Sequence, residues 1–282
     1  KSKILITTHV NPDGDAIGSS LALYNFLIKM GHDVSVVVPN DYPDFLKWMK
    51  SENKIINFSE KSDVVEKLLE KVEIIFCLDF NNLKRINELG NLIELSNAKK
   101  VLIDHHLNPD NFYDYNYHNV NASATAELVY DLISFIDDEL IDKDISDCIY
   151  TGILTDTGSF RFASTSSKVH RIVADLLDKG VRSDQIGKII YESNSFDKLK
   201  LLGYSLCKKL EIICDGRAAY IVLSRKDLLD NNYRKGDTEG IVNYALSIAG
   251  VNMATLIIET KERVKFSFRS SGNFSVNHFA HS

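Results

Sequence analysis

Three residues that commonly bind metal ions lie within seven positions near the start of the chain. His9, Asp13 and Asp15 occur in the segment ILITTHVNPDGDAIGSSLA, residues 4–22. The aliphatic residues before them predict a buried strand, and the residues from Asp15 onward predict a helix. Ligands of open α/β sheets bind at the carboxyl ends of the strands. This strand-to-helix turn is therefore a candidate floor of an active site.

Similar side chains recur at later predicted element ends. One predicted strand ends at Asp79, another runs into Asp104-His105-His106, and a predicted helix leads to a glycine-bearing turn that would aim Asp156 inward. A single Asp at such a place is more often a helix cap or a turn former. Their joint occurrence in one βα chain favours a site instead. If the strand ends converge, the candidate ligands are His9, Asp13, Asp15, Asp79, His105 and Asp156.

Such a ligand set would hold two divalent ions. Its four carboxylates balance two M²⁺ ions in charge, while the imidazoles add neutral nitrogen ligands. Two ions ~3.5–4 Å apart would lower the pKa of a shared water and clamp phosphoryl oxygens. Mixed histidine and aspartate ligation favours Mn²⁺, with Mg²⁺ or Co²⁺ as substitutes. The neighbouring His106 would donate a proton or a hydrogen bond to a phosphate.

The elements that must position these residues predict an α/β protein. Residues 1–191 alternate between strand and helix, which predicts a parallel-sheet domain with helices on both faces. The alternation stops over residues 192–208, for which we predict an interdomain linker. Residues 209–282 predict a smaller mixed α/β domain with two hairpins.

Several local expectations concern the surroundings of the site. Residues 107–121 are polar and aromatic and predict a loop, after which Ser123 or Thr125 would cap a helix. Gly14 is expected to allow a sharp turn between two ligands. Gly18 is expected to let the first helix lie close to the sheet.

Charge and composition exclude several function classes. The chain has 282 residues and a formal net charge of -6 at pH 7, whereas binders of long nucleic acid normally present a basic face. Long duplex nucleic acid is therefore not an expected partner. No stretch approaches the ~20 apolar residues of a membrane helix, so a membrane is not expected either. The four cysteines include no CxxC pair, which predicts buried free thiols and a cytoplasmic protein.

Four segments together resemble the motifs of the DHH phosphoesterase family: THVNPDGDAIGS, CLDFNNLKRI, LIDHH and GILTDTGSFRF. The resemblance covers residues 3 to about 165 with highly specific motifs, and it extends more loosely to the end of the chain as a DHHA1-like domain. It is closest to the short two-domain branch of bifunctional oligoribonucleases and 3′-phosphoadenosine-5′-phosphate (pAp) phosphatases, the nanoRNases.

The resemblance implies roles for individual residues. His9 and Asp13 would hold one Mn²⁺ ion, and Asp79 would bridge both ions. Asp104 would orient a ligating imidazole, and His106 would face the substrate. The remaining ligands of the second ion would be Asp15, His105 and Asp156.

Two arginines are the substrate residues that the resemblance implies. Arg85 matches the family's D-x5-R after Asp79, where it would pair with an acidic neighbour or with a phosphate. Arg269 would grip a substrate phosphate through its fork-shaped guanidinium. The family's glycine-rich GGGH element should follow soon afterwards, but residues 271–277 only lead toward it. We expect that segment to be missing from this chain.

The activity implied by the resemblance is Mn²⁺-dependent hydrolysis of short oligoribonucleotides or linear dinucleotides to mononucleotides, and also of pAp to AMP. Short RNA, dinucleotides and small nucleotides are the expected partners, and a homodimer is a further expectation. An Asp15→Asn variant is expected to lose turnover while its fold stays intact.

Two alternatives to this activity remain at the level of sequence. A family II inorganic pyrophosphatase uses the same N-terminal motifs, and Ser224-Arg225-Lys226 superficially resembles its phosphate clamp. The residues that follow predict a helix start instead. A non-catalytic nucleotide-binding module is the other alternative, and the complete ligand set argues against it.

Overall fold

The computed structural model divides into two compact units, Lys1–Glu192 and Ser193–Ser282. It describes residues 1–192, 194–234, 236–261, 263–272 and 276. Within these ranges, no helix has both the length and the apolar character needed to cross a membrane.

A six-stranded parallel sheet forms the centre of the first unit, in the order β3-β2-β1-β4-β5-β6. The chain builds outward from β1 in one direction and then, from β4, in the other. The carboxyl ends of β1 and β4 therefore flank the switch point where open α/β sheets bind ligands. The strands are β1 (Lys3–Thr7), β2 (Asp33–Val38), β3 (Ile55–Asn57), β4 (Ile74–Leu78), β5 (Lys99–Asp104) and β6 (Tyr115–His118).

Helices cover both faces of this sheet and enclose two apolar cores. In β1, Ile4 and Ile6 belong to one core and Leu5 to the other, because successive side chains of a strand point to opposite faces. The predicted α/β class with helices on both faces is confirmed. The helices are α1 (Gly14–Lys29), α2 (Ser62–Leu69), α3 (Glu88–Leu95), α4 (Thr125–Asp137), α5 (Lys143–Asp156), α6 (Ser167–Asp178) and α7 (Ser183–Tyr191).

Helices α1 and α5 pack with almost no space between their backbones. A Cβ atom on Gly18 would lie 2.5 Å from the carbonyl oxygen of Cys148, and one on Gly152 would lie 2.9 Å from Asp15 Oδ1. Gly18 thus permits close packing of α1 against α5, and not against the sheet as we expected. Gly14 likewise makes room for the Thr155 side chain of α5.

The second unit contains a mixed four-stranded sheet in the order β10-β9-β8-β7. The pairs β7/β8 and β9/β10 are antiparallel, as the predicted hairpins require, and β8/β9 is parallel. The elements are α8 (Phe196–Tyr204), β7 (Leu210–Ile213), β8 (Ala218–Leu223), α9 (Arg225–Asp230), α10 (Ile241–Leu246), β9 (Met253–Glu259) and β10 (Val264–Ser270).

Two predictions about irregular segments were wrong. The predicted linker 192–208 contains α8 and the start of a π-helical turn, Ser205–Lys209. It folds because Leu201 is buried in the core of the second unit. The predicted loop 107–121 contains β6, whose tyrosines Tyr115 and Tyr117 are exposed. A strand at a sheet edge forms through backbone bonds to one neighbour and does not need two apolar faces.

The expectation of buried cysteines holds for half of them. Cys77 and Cys148 are buried, whereas Cys207 and Cys214 are exposed, and all four are free thiols. The two buried cysteines lie in the first unit, in β4 and α5.

Candidate metal centre

The six predicted ligands lie around the carboxyl ends of β1, β4 and β5. His9 lies two residues beyond β1, Asp79 follows β4 directly, and His105 follows β5 directly. The helices supply the other three. Asp13 is the N-cap of α1, Asp15 is in its first turn, and Asp156 is the last residue of α5.

One cluster consists of His9, Asp13 and Asp79, whose ligand atoms lie within 4.8 Å of one another. His9 Nε2 is 3.3 Å from Asp79 Oδ2 and 3.9 Å from Asp13 Oδ1. The other ring nitrogen, Nδ1, lies 2.9 Å from the carbonyl oxygen of Val10. Because a carbonyl can only accept, Nδ1 carries a proton and Nε2 faces the carboxylates.

A second cluster consists of Asp15, His105 and Asp156, again within 4.8 Å. His105 Nε2 is 3.4 Å from Asp156 Oδ2 and 4.0 Å from Asp15 Oδ2. Its Nδ1 donates to the carbonyl oxygen of Ala122 at 3.2 Å. Both histidines therefore have their rings held by backbone carbonyls, the arrangement that orients metal-binding imidazoles.

Asp79 belongs to the first cluster, and it also forms a group with His105 and His106 whose ligand atoms lie within 4.8 Å of one another. Its Oδ2 faces His9, and its Oδ1 is 3.6 Å from His105 Nε2. Asp79 is only 2% exposed, and its φ of 64° lies in the left-handed region, which Asp and Asn adopt more readily than most residues. The hydroxyl of Thr125 donates to Asp79 Oδ1 at 3.0 Å.

The carboxylate of Asp15 caps helix α4. The backbone amide of Thr125 donates to Asp15 Oδ2 at 2.6 Å, and that of Ala126 donates to Oδ1 at 2.8 Å. The prediction that Ser123 or Thr125 caps this helix was wrong, because the N-cap residue is Ala124 and makes no side-chain cap bond. Asp15 satisfies the free amides of the first turn instead.

Asp104 pairs with His106 and not with a predicted metal ligand. Asp104 Oδ1 lies 2.7 Å from His106 Nδ1, whereas the imidazole of His105 is held by a backbone carbonyl. His106 Nδ1 is also 3.7 Å from Asp79 Oδ1. The side chain of His118 donates to the backbone carbonyl of His106 at 2.6 Å. Asp104 thus orients the imidazole of His106 and not that of His105, the predicted ligand.

Burial and mutual repulsion dominate the electrostatics of the metal-free centre. Burial raises the pKa of Asp15 well above its ordinary value, and the carboxylates of Asp79 and Asp156 add to the effect. Burial, followed by repulsion from Asp79, raises the pKa of Asp156 to about 7. Burial would also raise the pKa of Asp79, but hydrogen bonds with His105 and His9 lower it below its usual range.

The pKa values of His9 and His105 are both raised, which favours the positive charge that offsets these carboxylates. Burial alone would lower the pKa of His105, but its hydrogen bond to Asp79 and the surrounding carboxylates raise it to about 10. The pKa of His9 is raised as well, because the interactions with Asp79 outweigh burial. In the metal-free protein the His105 imidazole is therefore protonated near neutral pH.

We predict that Mn²⁺ binding near neutral pH releases protons. A protonated imidazole cannot coordinate, so His105 must lose its proton when it binds metal. Apparent Mn²⁺ affinity should therefore rise with pH up to the His105 pKa of about 10. Calorimetric titrations in two buffers of different ionisation enthalpy measure the released protons.

Binding of Mn²⁺ to the His105→Gln variant should release about one proton fewer than binding to the parent chain, because one titrating ligand is removed. Equal heats in both buffers for the parent chain would contradict the prediction.

The predicted substrate arginines lie in different units. Arg85 is in a 3-10 turn, Leu83–Ile86, and its backbone carbonyl accepts a bond from the amide of Val10 at 2.8 Å. This bond joins the Arg85 turn to the loop that carries His9. Arg269 is an exposed residue of β10, paired with Ala254, and its Nη1 donates to the carbonyl of Phe268 at 3.0 Å.

The segment that resembles a pyrophosphatase clamp is a helix start, as predicted. Ser224 is the N-cap of α9, and its side chain forms a capping box with Asp227. Residues Arg225 and Lys226 are the first two of that helix. Of residues 271–277, which lead toward the expected glycine-rich element, the structure describes residues 271, 272 and 276.

Sequence reasoning missed three residues of the centre. The carbonyl of Ala122, the hydroxyl of Thr125 and the amide of Ala126 all contact predicted ligands. Thr125 and Ala126 are 110 and 111 positions from Asp15. No local pattern in the sequence signals contacts over such a separation.

Comparison with known proteins agrees with this geometry. Residues 3–153 match the model of the DHH family, N-terminal domain. A bifunctional oligoribonuclease and PAP phosphatase NrnA from Thermus thermophilus is 32% identical over 278 residues, which cover 98% of this chain and 79% of the relative. The protein of the same name from Bacillus subtilis is 24% identical over 274 residues, covering 95% and 82%.

A solved structure is similar over almost the whole chain. The crystal structure of an exopolyphosphatase-related protein from Bacteroides fragilis superposes with a TM-score of 0.95 at 41% identity. The match covers 99% of this chain and 82% of that one. The two-unit architecture described above is therefore shared with a protein of known structure.

Proposed function

This chain belongs to the DHH family of phosphoesterases, and from that premise we propose that it hydrolyses short oligoribonucleotides, linear dinucleotides and pAp with bound divalent ions. Its membership makes it a hydrolase. One observation carries the finer proposal. Six nitrogen and oxygen donors from separate elements converge in clusters within 4.8 Å, with Asp79 between them.

The donor set fits two Mn²⁺ ions. Mixed imidazole and carboxylate ligation suits Mn²⁺ better than Mg²⁺, which rarely accepts histidine, although Mg²⁺ or Co²⁺ could substitute. His9 and Asp13 would hold one ion, and Asp79 would bridge to the other, since its two oxygens face different histidines. The second ion would be held by Asp15, His105 and Asp156.

Divalent ions at such a centre lower the pKa of a bound water and withdraw charge from phosphoryl oxygens. The chain supplies orientation and a proton. Asp104 holds His106 through Nδ1, which leaves Nε2 as the nitrogen that would donate a proton to the leaving oxygen. His106 is about one-third exposed and would reach a substrate more readily than the buried ligands.

Substrate recognition would rest on small phosphate-bearing nucleotides. Two relatives are named as oligoribonucleases and PAP phosphatases, which supports short RNA and pAp as substrates here. Arg85 and Arg269 are the proposed phosphate contacts, because guanidinium groups bind phosphate bidentately. The net charge of -6 supports short substrates over long duplexes. We also propose a cytoplasmic protein that acts away from membranes, as a homodimer.

The competing functions have less support. A pyrophosphatase-type clamp would need Ser224, Arg225 and Lys226 on phosphate, but Ser224 is engaged in the capping box of α9. A non-catalytic binding module would not need all six ligands, and all six converge. We therefore retain hydrolysis as the proposal.

A substrate panel tests it. The chain is stripped of metal with a chelator and assayed with added Mn²⁺, Mg²⁺ or Co²⁺ on pApA, pAp, a long RNA and pyrophosphate. We expect Mn²⁺ to restore hydrolysis of pApA and pAp, and both should exceed pyrophosphate and long RNA by at least about tenfold, a difference of ~1.4 kcal/mol in the barrier. Preferential hydrolysis of pyrophosphate would favour the rival enzyme. Binding of pApA without any turnover in Mn²⁺ would favour the non-catalytic module.

A further inference from the structure

One residue at the start of α4 donates to a carboxylate of each cluster. The amide of Thr125 donates to Asp15 Oδ2 at 2.6 Å, and its hydroxyl donates to Asp79 Oδ1 at 3.0 Å. Thr125 is completely buried. We propose that Thr125 is a positioning residue that couples the two metal clusters through Asp79. This inference rests on the proposed two-metal function.

The hydrogen bond from the Thr125 hydroxyl fixes the rotation of the Asp79 carboxylate. Asp79 Oδ1 is surrounded by Thr125 Oγ1 at 3.0 Å, His105 Nε2 at 3.6 Å and His106 Nδ1 at 3.7 Å. With Oδ1 held on this side, Oδ2 faces His9 at 3.3 Å. Without the hydroxyl, rotation of the carboxylate would move both oxygens away from their clusters together.

The hydrogen bond from the Thr125 amide to Asp15 allows the role of the Thr125 hydroxyl to be tested separately from the stability of α4. Asp15 is held by the backbone amides of Thr125 and Ala126, and neither bond depends on the Thr125 side chain. The negative charge also lies at the positive end of the α4 dipole, where it is favourable. A change confined to the Thr125 side chain therefore leaves Asp15 in place and tests the hydroxyl alone.

The test compares Thr125→Val with Thr125→Ser by calorimetric titration of the metal-free full chain with Mn²⁺. Valine has the shape of threonine but no hydroxyl, and we expect about a 10- to 100-fold loss of Mn²⁺ affinity, the usual effect of losing a partner behind a metal ligand. Serine keeps the hydroxyl and should bind within about threefold of the parent chain. Thr151→Val is the matched control, because Thr151 is equally buried and its hydroxyl donates only to the backbone carbonyl of Asp147.

The outcomes separate this inference from the proposed function. Parent-like Mn²⁺ affinity in Thr125→Val would overturn the inference alone. So would an equal loss in Thr125→Ser, since that variant retains the donor. A parent chain that binds no Mn²⁺ would instead overturn the proposed function. Circular dichroism checks folding, and Thr125→Ala replaces the valine variant in the comparison with serine if valine prevents folding.

Discussion

Replacing Asp79 with asparagine is expected to lower kcat/KM for pApA by about 10³-fold or more, because metal chemistry supplies several kcal/mol and each ~1.4 kcal/mol is tenfold. Asparagine tolerates the left-handed backbone at this position, where φ is 64°. Its carbonyl oxygen can still accept the Thr125 hydroxyl. The variant thus removes the charge between His9 and His105 with little backbone strain. Asp79→Ala would also remove the charge, but alanine would be strained at this left-handed φ.

The measurement for Asp79→Asn is steady-state hydrolysis with saturating Mn²⁺, together with a calorimetric count of bound ions. Asp215→Asn is its matched control, since Asp215 is exposed and has a left-handed φ of 53° in the second unit. That control should retain parent activity. An Asp79→Asn chain that keeps two bound ions and normal turnover would contradict the assignment of Asp79 as the bridging ligand.

Asp15→Asn is expected to lose turnover and also to destabilise the fold, by about 1–3 kcal/mol, the cost of leaving a buried donor unsatisfied. The two Asp15 oxygens accept separate amides from Thr125 and Ala126. An asparagine offers one carbonyl oxygen, so its NH₂ group would face an amide donor.

Asp13→Asn provides a matched comparison for the destabilisation. Both amides at the start of α1, those of Asp15 and Ala16, donate to the same oxygen, Asp13 Oδ1. Asparagine can supply that oxygen and is as good an N-cap as aspartate. Thermal unfolding in chelator should therefore lower the melting temperature of Asp15→Asn but leave that of Asp13→Asn near the parent value. Equal melting temperatures for the two variants would contradict the capping role of Asp15.

This expectation revises the view from sequence that Asp15→Asn leaves the fold intact. That the candidate ligands lie close together could be predicted because Asp79 and His105 each lie just after an apolar run whose end is visible in the sequence. The partners of Asp15 could not, because Thr125 lies 110 positions away. Capping by a side chain from another element leaves no pattern near the helix that it caps.

Other limits of the sequence have equally specific causes. Asp104 adjoins His105 and is two positions from His106, so spacing alone cannot decide which imidazole it holds. The strand β6 was missed because its exposed tyrosines follow a polar stretch, although the alternation in Tyr115-Asn116-Tyr117 is compatible with a strand. Helix α8 falls within the predicted linker because its lysines indicate a polar segment, although Leu201 is buried.

The order of the proposed ligands along the chain bears on how the candidate centre is assembled during synthesis. The first proposed ligand is His9, and the last, Asp156, ends α5, a helix packed directly on α1. A chain emerging from the ribosome therefore cannot complete the candidate centre until α5 has been made. Contacts between residues this distant in sequence form late, because packing must first offset the entropy lost when the loop between them closes. Metal bound at the proposed ligands would then stabilise the first unit only after α5 has packed on α1.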